Sequence, residues 1–226
     1  MILAAGRGER MRPLTDRVPK PLLVVRGRPL IEWMIAALTR ARVTELVINH
    51  AHLGARIVEA LGRGERLGVS IRYSPEREAL ETAGGVAQAL HLLGDSPFLV
   101  VNSDVYCDYD FSALAARATT SFAASDDLAH LVMVDNPDHH PQGDFALAGG
   151  RIAERGAPEA MRTFSGIGLY SPRLFSGITP GQKAPLAPLL RKAMAAGRVG
   201  GERHAGLWRD VGTPERLATL NALDAA

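Results

Sequence analysis

Short apolar runs ending in polar residues, alternating with stretches of helical periodicity, constrain this chain more than any other feature. Glu45-Leu46-Val47-Ile48-Asn49-His50 and Pro97-Phe98-Leu99-Val100-Val101 read as strands buried on both faces. Before the first of them, Leu30, Met34, Ala37 and Leu38 recur at helical spacing in a segment that follows Pro29 and runs to Arg42. Leu53–Leu61 predicts a short helix, Val69–Tyr73 alternates as a strand, and a helix is expected from Thr82 or Gly84 to Leu93. Strands alternating with helices predict an α/β fold around a mainly parallel sheet, whose ligands lie at the carboxyl ends of the strands.

The later part changes rhythm. Ala129–Asp135, Asp144–Leu147, Arg151–Ala153 and Arg162–Tyr170 are strand-like and separated by Pro- and Gly-containing turns. They predict strands added to the same sheet plus a small antiparallel lid. Helices are expected at 185–195 and 214–225, with a short strand at 208–211 between them. A length of 226 residues suits one domain, and no repeat, linker or heptad pattern divides it.

The first two dozen residues carry the chemistry. Met1-Ile2-Leu3-Ala4-Ala5 enters Gly6-Arg7-Gly8-Glu9-Arg10-Met11-Arg12-Pro13, and Lys20 follows between Pro19 and Pro21. Glycine lets backbone N–H groups approach an anion, and arginine and lysine supply full charge to phosphate oxygens. A Walker loop is excluded because no Lys-Ser/Thr pair follows Gly8. A dinucleotide fingerprint is excluded because Met11-Arg12-Pro13 stands where its third glycine would open a helix.

Composition narrows the partners. Net charge is only +2, so nucleic-acid binding gets no general support. The basic excess is local instead: Arg7, Arg10, Arg12, Arg17, Lys20, Arg26 and Arg28 face only Glu9 and Asp16 in sequence, which suits a polyphosphate ligand. No apolar run approaches a membrane span, and no signal peptide is apparent. Cys107 has no cysteine partner. A cytoplasmic protein without membrane or nucleic-acid partners is therefore expected.

The opening stretch resembles the signature of the sugar-1-phosphate nucleotidyltransferases, Leu-Ala-(Ala/Gly)-Gly-x-Gly-(Thr/Glu)-Arg-(Leu/Met)-x-Pro-Leu-Thr followed by Pro-Lys-Pro. The resemblance implies a Rossmann-like, nucleotide-diphospho-sugar transferase fold, with a nucleotide-binding half at about residues 1–110 and a sugar-binding half at about 111–226. It implies that Leu3, Ala4, Ala5, Gly6, Arg7, Gly8 and Glu9 border the nucleotide. Arg10 would hold the departing pyrophosphate, and Lys20 would bridge the α-phosphate and the sugar phosphate. Asp104, after an apolar strand, and Asp210, in Trp208-Arg209-Asp210-Val211-Gly212-Thr213, match the two aspartates that hold one magnesium ion in that family. Arg10, Lys20 and Asp104 are the catalytic set this implies.

Glu78-Ala79-Leu80-Glu81-Thr82-Ala83-Gly84-Gly85 is similar to the family's Glu-x-Leu-Gly-Thr-Ala-Gly turn beside the nucleobase, with Glu81 in place of the first glycine. Glu81, Thr82, Gly84, Gly85 and Asn102 are thereby expected at the nucleotide. Asn102, Gly143, Ser165 and Gly166 are expected at the sugar. Glu154 is expected there too, although the family's Glu-Lys-Pro is replaced by Glu154-Arg155-Gly156. Ile48-Asn49-His50, Arg72–Glu76, Val134–His140, Thr163–Ile167 and Leu186–Arg191 further resemble the uridylyltransferases acting on N-acetylmuramate 1-phosphate. That resemblance implies UTP and this sugar phosphate as substrates, in peptidoglycan recycling. Guanylyl or thymidylyl transfer to mannose or glucose 1-phosphate is the alternative, and a non-catalytic nucleotide-sugar-binding subunit is another.

Asp110 is expected to cap a helix starting at Phe111, and Asp108 to lie in a turn. His139-His140, His50, His52 and His204 are expected to be polar loop residues rather than metal ligands. Because Met1 already lies in the first apolar run, that strand is expected to be short.

Overall fold

In the computed structural model, which describes residues 1–222, thirteen strands and six α-helices follow one another from an N-terminal βα pattern. The strands are β1 (Ile2–Leu3), β2 (Val24–Val25), β3 (Arg28–Pro29), β4 (Glu45–His50), β5 (Ser70–Pro75), β6 (Phe98–Asn102), β7 (Val105–Cys107), β8 (Ala129–Val134), β9 (Phe145–Ala148), β10 (Arg151–Ala153), β11 (Met161–Tyr170), β12 (Val199–His204) and β13 (Trp208–Asp210). The helices are α1 (Leu30–Arg40), α2 (Gly54–Leu61), α3 (Glu81–Leu93), α4 (Phe111–Thr119), α5 (Leu186–Ala195) and α6 (Pro214–Ala222). The helix expected over 214–225 is described to Ala222, and the rest of that expectation lies outside the described residues.

Nine strands form one mixed sheet in the order β5-β4-β1-β6-β11-β8-β12-β10-β9. β5, β4, β1 and β6 are parallel; β11 runs against both β6 and β8, and β12 is parallel to β8. The antiparallel strands β9 and β10 finish the edge, and β9 also pairs with the start of β11. Two small ribbons, β2–β3 and β7–β13, stand apart from the sheet.

The two-residue alternation of each strand decides which helices cover which face. Leu46, Ile48, Leu99 and Val101 point to one side, where Ile31, Met34, Ile35 and Leu38 of α1 meet Ile57 and Leu61 of α2 and Phe111 and Leu114 of α4. Val47, Phe98 and Val100 point to the other, against Ala83, Val86 and Ala87 of α3 and Leu186, Leu190 and Ala193 of α5. Fully burying one such Leu, Ile or Val contributes about 1.5–3 kcal/mol, so each strand is held from both faces.

Within the nine-stranded sheet, β12 has no counterpart in the sequence pattern. β12 begins Val199-Gly200-Gly201, a run that resembles a turn. In the fold both glycines are covered. A Cβ on Gly200 would lie 2.8 Å from Nδ1 of His130, and one on Gly201 would lie 2.4 Å from Cδ1 of Ile152. Neighbouring side chains fill the space, so β12 packs as a central strand despite its low propensity.

Candidate active site

β1 lies between β4 and β6, with the chain crossing to opposite sides of it, so the crevice at their carboxyl ends is a topological switch point. Leu3 is in register with both Asn49 of β4 and Asn102 of β6. A cavity of about 380 Å³ opens there. Its walls contain Leu3, Ala4, Ala5, Gly6, Gly8, Glu9 and Arg10 from the first loop and Lys20 after it. Glu81 and Thr82 from the start of α3, and Asn102 and Asp104 from the end of β6, are the other expected residues in the wall.

The loop's two glycines do different things. Gly8 has φ 69°, and a Cβ there would meet Cγ2 of Thr15 at 3.0 Å; the Thr15 hydroxyl donates to the Gly8 carbonyl at 2.8 Å. Gly8 is thus required by the backbone. Gly6 has nothing within 4 Å of its absent Cβ, and that open space belongs to the cavity wall.

Charge converges on the same place. Lys20 Nζ donates to Oδ2 of Asp104 at 2.5 Å, joining residues 84 positions apart. Arg10 has no ion-pair partner among the described residues, and its Nη2 comes within 3.4 Å of where a Gly212 Cβ would be. Gly212 itself lines the cavity two residues after Asp210.

Asp210 is brought beside Asp104 by a short ribbon. β13 pairs antiparallel with β7, Asp210 stands opposite Val105, and the Val211 N–H donates to the Asp104 carbonyl at 2.8 Å. The carboxylate of Asp210 is taken by Arg216 on Oδ2 and by Nε2 of His139 on Oδ1, the latter at 3.2 Å. It lines a neighbouring cavity of about 380 Å³ with His139, Trp208 and Arg216 rather than the one that Asp104 lines. Among the described residues no cluster of three or more His, Cys, Asp or Glu could hold a metal ion. Asp104 and Asp210 are hard oxygen donors of the kind magnesium takes together with phosphate and water, and here Lys20 holds the first while Arg216 and His139 hold the second.

Several expected contacts are not made. Arg7 turns away from the cavity to Glu9 and Asp16 (3.4 and 3.2 Å), to the Thr15 carbonyl and to His52, because acceptors lie on that side of the loop. Gly84 is covered by the chain at 182–184: a Cβ would lie 2.4 Å from the Gln182 carbonyl, and the Gly84 N–H donates to Ala184. Gly85 sits behind Glu76 and Asn49 rather than in the wall. Gly143 serves a turn, with φ 65° and the Arg162 carbonyl 2.8 Å from its absent Cβ. Glu154 is half exposed at the far edge of the sheet, paired with Arg191 at 3.0 Å.

Ser165 is 1% exposed, and its hydroxyl donates to the Val132 carbonyl at 2.7 Å. It shapes a bulge in β11 between Phe164 and Ile167. That bulge brings Gly166, with φ 79°, against Asn102, whose Nδ2 would lie 2.5 Å from a Cβ there. Of the expected sugar residues, Asn102 thus lines the cavity and Gly166 packs against it from behind.

The smaller expectations divide. Asp110 caps α4 by accepting from the Ser112 N–H at 2.9 Å, and Asp108 pairs with His204 at 2.9 Å. His140 pairs with Asp144 at 3.1 Å, whereas His139 lies against Asp210, a contact that adjacency in sequence could not show. Burial lowers the pKa of His50, whose ring packs edge-on to Tyr73. Burial also pushes the Cys107 thiol up.

Sequence reasoning assigned no role to Asn49, Glu76, Ala79, Pro21, Ser103 and Gly212, which line the cavity too. Asn49 carried a usable signal, since it is a polar residue ending an apolar strand, as Asn102 is.

Residues 1–226 match the profile of the Nucleotidyl transferase family. An N-acetylmuramate alpha-1-phosphate uridylyltransferase from Neisseria meningitidis serogroup B is 54% identical over 100% of this chain and 98% of that protein. An enzyme of the same name from Caulobacter vibrioides is 37% identical over 98% and 95%. A Bacillus anthracis protein crystallised as a candidate glucose-1-phosphate thymidylyltransferase superposes with a TM-score of 0.84 at 24% identity, over 98% of this chain and 93% of that one, which shows the shared fold. With a glycine loop, an arginine, a lysine and an aspartate gathered at the switch point of such a sheet, the chain belongs to the sugar-1-phosphate nucleotidyltransferases.

Proposed function

We propose that this enzyme transfers the uridylyl group of UTP to N-acetylmuramic acid α-1-phosphate, giving UDP-N-acetylmuramic acid and pyrophosphate. The observation that carries the reading is the convergence of the Gly6–Gly8 loop, Arg10 and the Lys20–Asp104 pair in one cavity wall. Full-length similarity to two uridylyltransferases of that name supports the choice of base and sugar. A role in cell-wall recycling, in the cytoplasm, accompanies that choice. Among the described residues no helix is long and apolar enough to cross a membrane.

An oxygen of the sugar phosphate attacks the α-phosphorus as the bond to the β-phosphate oxygen breaks opposite it. The nucleophile is already an anion, so catalysis is positioning and charge stabilisation rather than proton transfer. Lys20 offsets the repulsion between the two approaching phosphates. Arg10 and the loop N–H groups take up the charge that develops on pyrophosphate. Asp104 and Asp210 are the residues that would hold magnesium, which supplies charge neutralisation at the phosphates when bound.

The test is pyrophosphate release from UTP with N-acetylmuramate 1-phosphate. GTP and dTTP, and mannose and glucose 1-phosphates, form the other arms. Preference for UTP with the muramate ester is expected. Faster turnover with another pair would reassign the substrate, and no release with any pair would leave a binding protein.

A further inference from the structure

Two buried polar side chains beside the cavity form a relay that the chemistry above does not use. At the end of β1 the Ala4 N–H donates to Oδ1 of Asn49 at 2.9 Å. Nδ2 of Asn49 donates to Oε1 of Glu76 at 2.7 Å, and the Leu80 N–H donates to Oε2 of Glu76 at 2.9 Å. Asn49 is 3% and Glu76 7% exposed, and no cation pairs with Glu76 among the described residues. Gly85 seals the pair from behind: a Cβ there would lie 2.7 Å from Oε1 of Glu76 and 2.8 Å from Nδ2 of Asn49. A buried carboxylate held only by hydrogen bonds is costly, and burial does raise the Glu76 pKa.

The relay joins the first residues of the phosphate loop to the turn that opens α3, two walls of one cavity. We propose that Asn49 and Glu76 are positioning residues that fix the phosphate loop relative to the base-side turn, so that both ends of a nucleoside triphosphate meet a preformed site. This inference rests on the proposal that such a nucleotide occupies the cavity. The two terminal N–H groups point inward, so the pair between them must present an oxygen at each end and share one N–H in the middle. One amide and one carboxylate satisfy that rule. Two amides leave a surplus N–H facing the donor at one end, and two carboxylates set oxygen against oxygen.

The order of the two is interchangeable, and this provides the test. In N49D/E76Q the amide introduced at position 76 would donate to the carboxylate introduced at position 49. That carboxylate would accept from the Ala4 N–H, and the amide oxygen at position 76 would accept from the Leu80 N–H. Equilibrium binding of UTP to the purified full chain is measured by calorimetry, with thermal melts alongside. Asn49→Asp and Glu76→Gln are each expected to weaken UTP binding roughly tenfold at a temperature well below melting, and N49D/E76Q to recover to within about threefold of the parent. Single variants that melt lower but bind UTP normally would reduce the pair to scaffolding and overturn the proposal. So would a double variant as weak as the singles. If the parent chain binds no nucleoside triphosphate, the nucleotide reading itself falls, and the relay with it.

Discussion

At Gly6 and Gly8 one residue type answers two different demands, and substitution separates them. Gly8→Ala places a side chain at φ 69° and against Thr15, at a cost of about 1–2 kcal/mol, visible as a lower Tm. Gly6→Ala meets no protein atom, so Tm should hold while the KM for nucleotide rises by roughly tenfold or more as the methyl group enters the phosphate space. An unchanged KM would place the phosphates elsewhere. The Lys20–Asp104 pair is a second residue-scale device. Lys20→Ala and Asp104→Asn should each reduce turnover at least ~10²-fold with far-ultraviolet dichroism unaltered, and near-normal turnover in either would remove that residue from the mechanism. Glu81 shows a sequence departure with a structural reason. It adopts φ 61°, a left-handed backbone that glycine takes more readily, at the position of the first glycine in the turn it resembles.

Among the elements, β12 depends most on its surroundings. Its glycines are packed by His130 and Ile152, and the Leu131 carbonyl lies 3.0 Å from where a Gly201 Cβ would be. Gly201→Ala, which local propensity alone would favour, is expected to destabilise by about 1–3 kcal/mol through overpacking. Urea unfolding would measure it, and a stabilised variant would contradict the packing. The β7–β13 ribbon is the element on which the second aspartate depends. Three residue pairs of antiparallel register carry Asp210 to the backbone neighbourhood of Asp104. β13 matches the short strand expected at 208–211, whereas β7 has no strong strand pattern of its own.

Across the whole molecule, Glu202 of β12 links separate parts of the chain. It accepts from Tyr109 at 2.5 Å and contacts His130 of β8 at 3.2 Å, with Arg117 of α4 at 3.8 Å. The hydrogen bond from His130 is the largest influence lowering its pKa below the usual 4.5; burial opposes it, and Tyr109 and Arg117 add to the lowering. An acid whose folded pKa is depressed stabilises the fold above its unfolded pKa and loses that contribution as pH falls through the folded value. Glu202→Gln should therefore cost about 1 kcal/mol near neutrality, and the difference from the parent should shrink below pH 4.5. Denaturant melts from about pH 3 to pH 7 would follow it. A difference independent of pH would assign the loss to packing instead.

Local pattern was enough for whatever a single segment can dictate. The apolar runs at 45–50 and 97–101 must be buried on both faces, the glycine loop must turn where it does, and the motif residues Arg10, Lys20, Asn102 and Asp104 end at one cavity because strand ends share one edge. What folding alone decided was every feature set by a distant neighbour. Arg7 met His52, Gly84 met the chain near Gln182, and Glu154 was carried to the outer edge of the sheet. His139 was brought to Asp210, and Asn49 to Glu76. Propensity and spacing act over a few residues, whereas hydrogen-bond partners and van der Waals space are supplied by segments tens of positions away, so those assignments exist only once the sheet is assembled.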